Sequence, residues 1–306
     1  MTTSARLHQY LLKRYPNTSE YRDRVREAVE DTCGRFIALG LADPDFETEL
    51  CSGSEARFWQ RYTEAALATH AVDAGLKVQS AREGPDLCIQ TEQQRVWVEF
   101  ICPEPNGIPA DWLGHGTSSG VVGFPYTEIL LRWTAAIKEK AEKLLGSDRK
   151  PGYLAKGVVG ASDAYVIAVN GRQLRYTFAT LHGISQFPFA VEAVFGVGPY
   201  QFHIDRKTLD VVDRDYQRRL TVPKPSGAEV PAYTFLDERF DHVSAIWATD
   251  FDDCAVVGNA KQLAVVHNPR AINPLPLALL PAQHEYVAKL VSQDKYLLER
   301  LPGRLT

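Results

Sequence analysis

Between residues 57 and 170 the hydrophobic pattern changes from helical to strand-like and back, and this order restricts the fold more than any other feature of the chain. RFWQRYTEAALATHAVDAG is rich in alanine and contains no glycine or proline before Gly75, which predicts a helix over about 56–74. Three short strand-like segments follow: LKVQSA at 76–81, DLCIQT at 86–91 and RVWVEFI at 95–101. The sequence therefore predicts a sheet built next to a helix.

A second helix is predicted for YTEILLRWTAAIKEKAEKLLG, over about 126–145, after a long loop rich in glycine and proline. AYVIAVN at 164–170 is a continuous apolar run, typical of a buried strand. The order helix, three strands, helix, strand predicts an α/β protein (α+β, with a mixed sheet). Its predicted parts are a helical N-terminal extension at 1–55, a core at 56–171 and an α/β C-terminal elaboration at 172–306 that packs on the core.

The C-terminal part is harder to interpret. FAVEAVFGV, HVSAIWAT and QLAVVHN have the composition of strands, and AQHEYVAKLVSQDKYLLERL has the apolar spacing of a closing helix. We therefore expect this part to add strands and one final helix.

The composition is that of an ordinary globular protein. Of 306 residues, 45% are hydrophobic and 24% are charged, which argues against long disordered segments. The formal net charge of -4 is unlike that of a nucleic-acid coat protein, although it leaves room for a local basic groove. Five cysteines without a CxxC pair favour a reducing compartment over a zinc site or a disulfide framework. Without an apolar leader or a run of about 20 apolar residues, we expect a cytoplasmic protein with no membrane partner.

Strand alternation places two acidic residues opposite each other. The apolar residues that must share the buried face are Leu87 and Ile89 on the second strand and Val96, Val98 and Phe100 on the third. Both sets are buried together when Leu87 lies across from Val98. The same register places Asp86 directly opposite Glu99, with Cβ atoms about 4.5–5.5 Å apart.

Two carboxylates at this separation repel each other unless a proton or a cation lies between them. Mg²⁺ prefers oxygen ligands and takes one or two carboxylates together with waters and substrate phosphates. A shared cation is therefore one interpretation of Asp86 and Glu99. In the other, Asp86 stabilises a turn after Pro85 and Glu99 points into solvent. Glu99 favours the first interpretation, because a charge inside the apolar run VWVEFI is costly unless it has a use.

With GPDLCIQ and VWVEF in this order of elements, the chain resembles the PD-(D/E)xK superfamily of restriction-endonuclease-like nucleases. Pro85 and Asp86 look like the PD of that family, and Glu99 stands where its second acid would be. The resemblance implies that both acids bind Mg²⁺ or Mn²⁺ together with the backbone carbonyl of Phe100. It implies a nucleic-acid substrate, DNA or RNA, whose phosphodiester is attacked by a water held on the metal.

The resemblance covers residues 57–170, and the segments ILLRWTAAIKEKA and VVHNPRAINPLP look similar to parts of bacterial members with no assigned role. The family often adds an acid or amide from the first helix. Gln60 is the best match here, and Glu64 lies one turn further along the same face. A solvated helix surface is the alternative for both residues.

One position departs from the family. Its lysine is expected two residues after Glu99, where this chain has Ile101. Either the site is inactive or a lysine from elsewhere replaces it. On the second helix Lys140 lies at the edge of the apolar face and is the predicted replacement, with a snorkelling surface lysine as the alternative. Lys138 is predicted on the other flank, and Lys143 is predicted to point away.

Two hypotheses follow. In the first, the chain is a metal-dependent nuclease in which Lys140 stabilises charge or orients the attacking water. In the second, the fold is a catalytically silent module that binds nucleic acid or a protein partner through residues 171–306. His115, in the loop that leaves the third strand, is predicted to be either a phosphate or water contact or an ordinary loop histidine. The sequence leaves the oligomeric state open.

Overall fold

A computed structural model describes residues 5–16, 19–81, 83–114, 123–174, 181–258, 263–292 and 295–304. His115 lies outside these residues.

The helices contribute the two outer layers of the fold. They are α1 (Ala5–Arg14), α2 (Glu20–Ala38), α3 (Phe46–Leu50), α4 (Glu55–Asp73), α5 (Tyr126–Leu145), α6 (Phe189–Phe195) and α7 (Asp253–Val256). Ser54 precedes α4 and accepts a hydrogen bond from the backbone N–H of Arg57, which satisfies one of the amides that the first turn leaves unpaired. The predicted helices at 56–74 and 126–145 are confirmed to within one residue at each end.

Within the described ranges, the strands form one large sheet and three small ones. They are β1 (Lys77–Ser80), β2 (Leu87–Gln90), β3 (Arg95–Ile101), β4 (Gly146–Ser147), β5 (Lys150–Pro151), β6 (Ala164–Asn170), β7 (Val197–Ile204), β8 (Val211–Arg218), β9 (Thr221–Pro223), β10 (Glu229–Pro231), β11 (Ala245–Thr249), β12 (Leu263–His267), β13 (His284–Ser292) and β14 (Lys295–Pro302). Two-stranded sheets form between β4 and β5, β7 and β8, and β9 and β10.

The large sheet is mixed and, in the part of the chain that the structure describes, has eight strands in the order β1-β2-β3-β6-β11-β12-β13-β14. Strand β6 pairs in parallel with both β3 and β11, and β12 pairs in parallel with β13, while the other neighbours are antiparallel. The fold is therefore mixed α/β, as predicted. The strands of residues 172–306 continue the same sheet that begins with β1.

The predicted register of the second and third strands is confirmed. Leu87 pairs with Val98, and Ile89 pairs with Val96, in an antiparallel ladder. Continuing that ladder by one residue places Asp86 across from Glu99. The sequence could specify this register because a slip of one residue would turn every apolar side chain of β2 toward the wrong layer.

The sheet separates two hydrophobic clusters. Helices α1 to α4 cover one face, where Val98 and Phe100 of β3 pack against α4. Helices α5 and α6 cover the other face, where Trp97 of β3 and Trp133 of α5 belong to one buried cluster. Strand β6 is buried at every position, because both of its faces and both of its edges are covered.

Two expectations for the C-terminal part are wrong. FAVEAVFGV forms α6 rather than a strand, and every residue of α6 is buried, so no polar face reveals a helical period. The predicted closing helix is the antiparallel pair β13–β14. There, alternate residues such as Tyr286 and Ala288 are buried, which is the period of a strand.

Candidate functional site

Asp86 lies at the entrance of β2, held by its neighbours in the chain and by β3. Gly84 has a φ of +112°, and a Cβ at this position would lie 2.4 Å from Cγ1 of Val158, so the approach requires glycine. Oδ2 of Asp86 accepts a hydrogen bond of 2.6 Å from the backbone N–H of Phe100. The Asp86 carboxyl group therefore provides the hydrogen-bond acceptor for the backbone of β3 just before β2 begins.

Glu99 is only 1% exposed and points to the α5 side of the sheet, with Trp97. Its Oε1 lies 3.1 Å from Nζ of Lys140 and 2.6 Å from Nζ of Lys143. The hydroxyl of Tyr153 donates a hydrogen bond of 3.5 Å to Oε2. The structure thus brings Lys140 to Glu99, as proposed from the sequence, whereas the prediction that Lys143 points away is wrong.

The correction for Lys143 has a geometric reason. Residues three apart lie on neighbouring parts of a helix surface, and a lysine has a stem of four carbons. From the last turn of α5, Lys143 can therefore reach the same carboxyl oxygen as Lys140. Lys140 has a side chain only 9% exposed, whereas that of Lys143 is 44% exposed, so the second ammonium is open to solvent.

Asp86 and Glu99 lie close together, and two lysines contact Glu99, so the pKa values of several groups here are shifted. Burial and the Glu99 carboxylate raise the pKa of Asp86 to about 6. Partial burial opposes the charge of Lys143, but the neighbouring Glu99 carboxylate raises the pKa of this lysine. Burial and Glu99 also raise the pKa of Tyr153, to about 12, so this hydroxyl stays protonated as a donor.

Gln60 reaches from α4 to the end of β3. Its Nε2 donates a hydrogen bond of 3.0 Å to the carbonyl oxygen of Phe100, and its Oε1 accepts one of 2.7 Å from the backbone N–H of Cys102. The amide thus fixes the segment that follows Glu99. A carbonyl oxygen has two lone pairs, so that of Phe100 keeps one acceptor position besides Gln60.

Glu64 is 4% exposed, and its Oε2 pairs with Nη1 of Arg61 at 2.9 Å. Burial and the charge of Asp86 raise the pKa of Glu64 to about 8, although Arg61 opposes the shift. The alternative of a solvated helix surface is therefore wrong for Glu64. Gln60 is half-buried, and its amide is engaged with β3 rather than with solvent alone.

Sequence reasoning did not identify two residues that contact Glu99, namely Lys143 and Tyr153. Ile101, two residues after Glu99, packs against the α5-side cluster. Lys143 contacts Glu99 together with Lys140, and a signal for this contact existed in the i, i+3 spacing of the two lysines. Tyr153 follows the β4–β5 turn, and no local pattern links it to a strand more than fifty residues earlier.

The oxygen atoms of this site suit a hard divalent cation. Asp86, Glu99 and the carbonyl of Phe100 are the ligand types that Mg²⁺ and Mn²⁺ take, with waters completing the shell. The pKa of Asp86 is raised by burial and by Glu99, and a cation would relieve this mutual repulsion. Within the described residues, no group of three or more His, Cys, Asp or Glu side chains converges as a metal cage.

None of the helices in the described part of the chain combines the length and apolar character needed to cross a bilayer. Comparison of the chain with models of protein families, with curated proteins and with solved structures gave no significant match. The resemblance to nucleases therefore depends on the residues, the order of elements and the strand register alone.

Proposed function

We propose that this chain is a metal-dependent nuclease with a PD-(D/E)xK-like site on a restriction-endonuclease-like core. One observation supports this most strongly: Glu99, almost fully buried, lies next to Asp86 and is contacted by the ammonium groups of Lys140 and Lys143. The two acids at the open end of the β2–β3 hairpin are the groups on which the resemblance depends, whereas the lysine is the position where the chain departs from the family. The lysine comes from α5 instead of β3.

In this proposal Asp86, Glu99 and the Phe100 carbonyl hold Mg²⁺ or Mn²⁺, which when bound activates water and offsets phosphoryl charge. Lys140 holds the Glu99 carboxylate in place. Lys143, which is open to solvent, stabilises the negative charge that develops on the phosphoryl oxygens. Gln60 fixes the backbone after Glu99, and Glu64 adds a further acid close to Asp86.

The direct test is incubation of the protein with mixed DNA and RNA in Mn²⁺. We expect cleavage that the Asp86→Asn and Glu99→Gln variants reduce to background, since both remove a carboxylate without changing shape. Lys140→Ala should lose activity as well. Lys138→Ala is the matched control, because Lys138 lies on the same helix and contacts only Glu142, at 3.8 Å, among the ion pairs described.

A second measurement addresses the cation without any substrate. Because a ligand that binds only the folded state stabilises it, Mg²⁺ or Mn²⁺ should raise the melting temperature of the wild type. The Asp86→Ala variant should melt at the same temperature with and without the ion.

The alternative is a silent module of the same fold that binds nucleic acid or a protein partner. It is favoured by Ile101 at the usual lysine position and by the engagement of Glu99 Oε1 with two ammonium groups. If the wild type neither cleaves nucleic acid nor gains thermal stability from the ions, the silent module is the better account.

A further inference from the structure

A cleft of about 470 Å³ opens beside the candidate site, on the outer side of Glu99. Three lysines line it: Lys143, Lys150 and Lys156. Tyr153, whose hydroxyl bonds to Glu99, lines it as well. We call this feature the lysine cleft. Two of its residues, Lys143 and Tyr153, therefore contact Glu99 directly.

The cleft exists because the chain turns back immediately after α5. Gly146 ends the helix with a φ of +88°, and β4 and β5 form a turn of two-residue strands. A Cβ on Gly152 would lie 2.2 Å from the carbonyl oxygen of Leu144, so the returning chain packs tightly on the end of the helix. The backbone N–H of Tyr153 then donates to the carbonyl of Lys143. This packing returns the segment that contains Lys150 and Lys156 to the side of α5.

The charges around the cleft leave positive groups for a ligand. Lys150 and Lys156 are exposed, and among the described residues neither forms an ion pair. Two glutamates also line the cleft, but Glu142 is paired with Lys138 at its outer side. Three lysines therefore line the cleft, and the ammonium groups of Lys150 and Lys156 have no acidic partner among the described residues.

We propose that the lysine cleft binds a backbone phosphate of a single-stranded nucleic acid, next to the phosphate that is cleaved between Asp86 and Lys143. The proposal rests on the proposed nuclease function, because the cleft is continuous with that site through Lys143 and Tyr153. Its volume lies in the range of about 300–1,000 Å³ that is usual for small-ligand pockets, which suits one nucleotide at a time. Ser147 adds a hydroxyl donor for a phosphate oxygen.

The competing explanation is structural. Cations near the carboxyl end of a helix stabilise it through the helix dipole, and Lys143 lies in the last turn of α5. In that case the lysines would affect the stability of the protein and not its affinity for nucleic acid.

The test compares two variants with the same change of charge. Lys150→Gln/Lys156→Gln removes two lysines of the cleft, and Lys77→Gln/Lys207→Gln removes two exposed lysines from β1 and from the turn between β7 and β8. The probe is a short fluorescein-labelled single-stranded DNA, measured by anisotropy in EDTA, so that no metal contributes. Melting temperatures are recorded for both variants.

We expect the cleft variant to bind about tenfold more weakly and to lose roughly 0.7 from the slope of log K against log salt, because the cleft holds one phosphate. The control variant should bind as the wild type does. Inorganic phosphate should compete with the probe on the wild type and have less effect on the cleft variant.

Equal affinities of the cleft variant and the control would overturn the proposal, and a lower melting temperature alone would assign the lysines to the helix dipole. The two proposals can fail separately. If the wild type cleaves in Mn²⁺ and the cleft variant keeps the same KM, the nuclease stands and the cleft fails. If the wild type binds the probe through the cleft but cleaves nothing, the cleft stands and the nuclease fails.

Discussion

At the scale of residues, Glu99 is the point on which the other groups of the site converge. A charged side chain that is 1% exposed is costly unless cations and donors compensate it, and here two ammonium groups and a phenol do so. The two ammonium groups are not equivalent. Lys140 is itself buried, whereas the head of Lys143 is shared with solvent.

Replacing Lys140 by methionine should therefore cost more stability than the same change at Lys143. Removing one partner of a buried pair costs roughly 3–5 kcal/mol, and the lysine that remains should keep Lys140→Met near the lower limit. For Lys143→Met we expect a smaller loss, of about 1 kcal/mol, because the side chain of Lys143 is 44% exposed and solvent screens part of its attraction to Glu99. Urea unfolding of both variants measures the difference. Equal losses would mean that the two lysines support Glu99 to the same extent.

Glu192, far from this site in α6, should make the protein less stable as the pH rises. It is fully buried, and burial raises its pKa to about 7, although a hydrogen bond of 2.7 Å from the backbone N–H of Ser185 opposes the shift. Because the folded state keeps a proton that the unfolded state releases near pH 4.5, stability is greatest below about pH 4.5 and falls until about pH 7.

Glu192→Gln should remove this loss and raise the free energy of unfolding by about 1–3 kcal/mol at about pH 8, with little change at about pH 4. Urea unfolding at the two pH values measures it. Glu92→Gln, in the exposed turn between β2 and β3, is the control. A parallel pH dependence in wild type and Glu192→Gln would contradict the assignment.

Sequence reasoning could place Asp86 opposite Glu99 because strand alternation and the need to bury Leu87 with Val98 leave one register. It could also select Lys140, from its place at the edge of an apolar helix face. It could not assign Lys143 correctly, because a helical projection describes where Cα–Cβ bonds point and not how far a flexible stem reaches. Tyr153 depends on a tertiary contact that no local pattern encodes.

At the scale of elements, the turn formed by β4 and β5 is fixed by close backbone contacts. Gly152→Ala would place a methyl group 2.2 Å from a carbonyl oxygen and 2.3 Å from the backbone nitrogen of Gly146, and neither atom can move without the chain. We expect a loss of roughly 2–3 kcal/mol in the free energy of unfolding, as for overpacking.

The matched control is Gly34→Ala in the interior of α2, where an added Cβ meets no atom within 4 Å. This change should stabilise the protein by about 0.5–1 kcal/mol, because alanine loses less backbone freedom than glycine in a helix. Urea midpoints of both variants check the prediction. A neutral Gly152→Ala would show that the turn can move away from α5.

Elements with one buried and one polar face were predictable, and α5 is an example. Apolar runs without that contrast were all expected to be strands, which is right for β6 and wrong for α6. Helix α6 is buried on all sides, so its sequence resembles that of a central strand. In β13 and β14, charged and apolar residues are spaced so that a helical and a strand period both fit, and only pairing with β12 decides between them.

At the scale of the whole molecule, one sheet joins the N-terminal and C-terminal parts of the chain. Strand β6 pairs with β3 on one side and with β11 on the other, and tryptophans lie in the clusters of both faces, such as Trp133 and Trp247. The boundary predicted near residue 171 stays a prediction about sequence organisation.

Because the clusters share the sheet, we expect urea unfolding to occur in one transition. Tryptophan fluorescence, which reports on both faces, and far-UV circular dichroism should give coincident curves. Two separated transitions would instead assign the parts before and after residue 171 to independently folding units.

The position of β6 also has a consequence during synthesis. Its partner β11 is translated much later, after α6 and two small strand pairs. Until β11 leaves the ribosome, the nascent chain presents an apolar strand edge with unpaired amides, the kind of surface that invites aggregation. Translation stalled between these strands should therefore yield a polypeptide that depends on chaperones, or on the remaining fragment supplied in trans, to stay in solution.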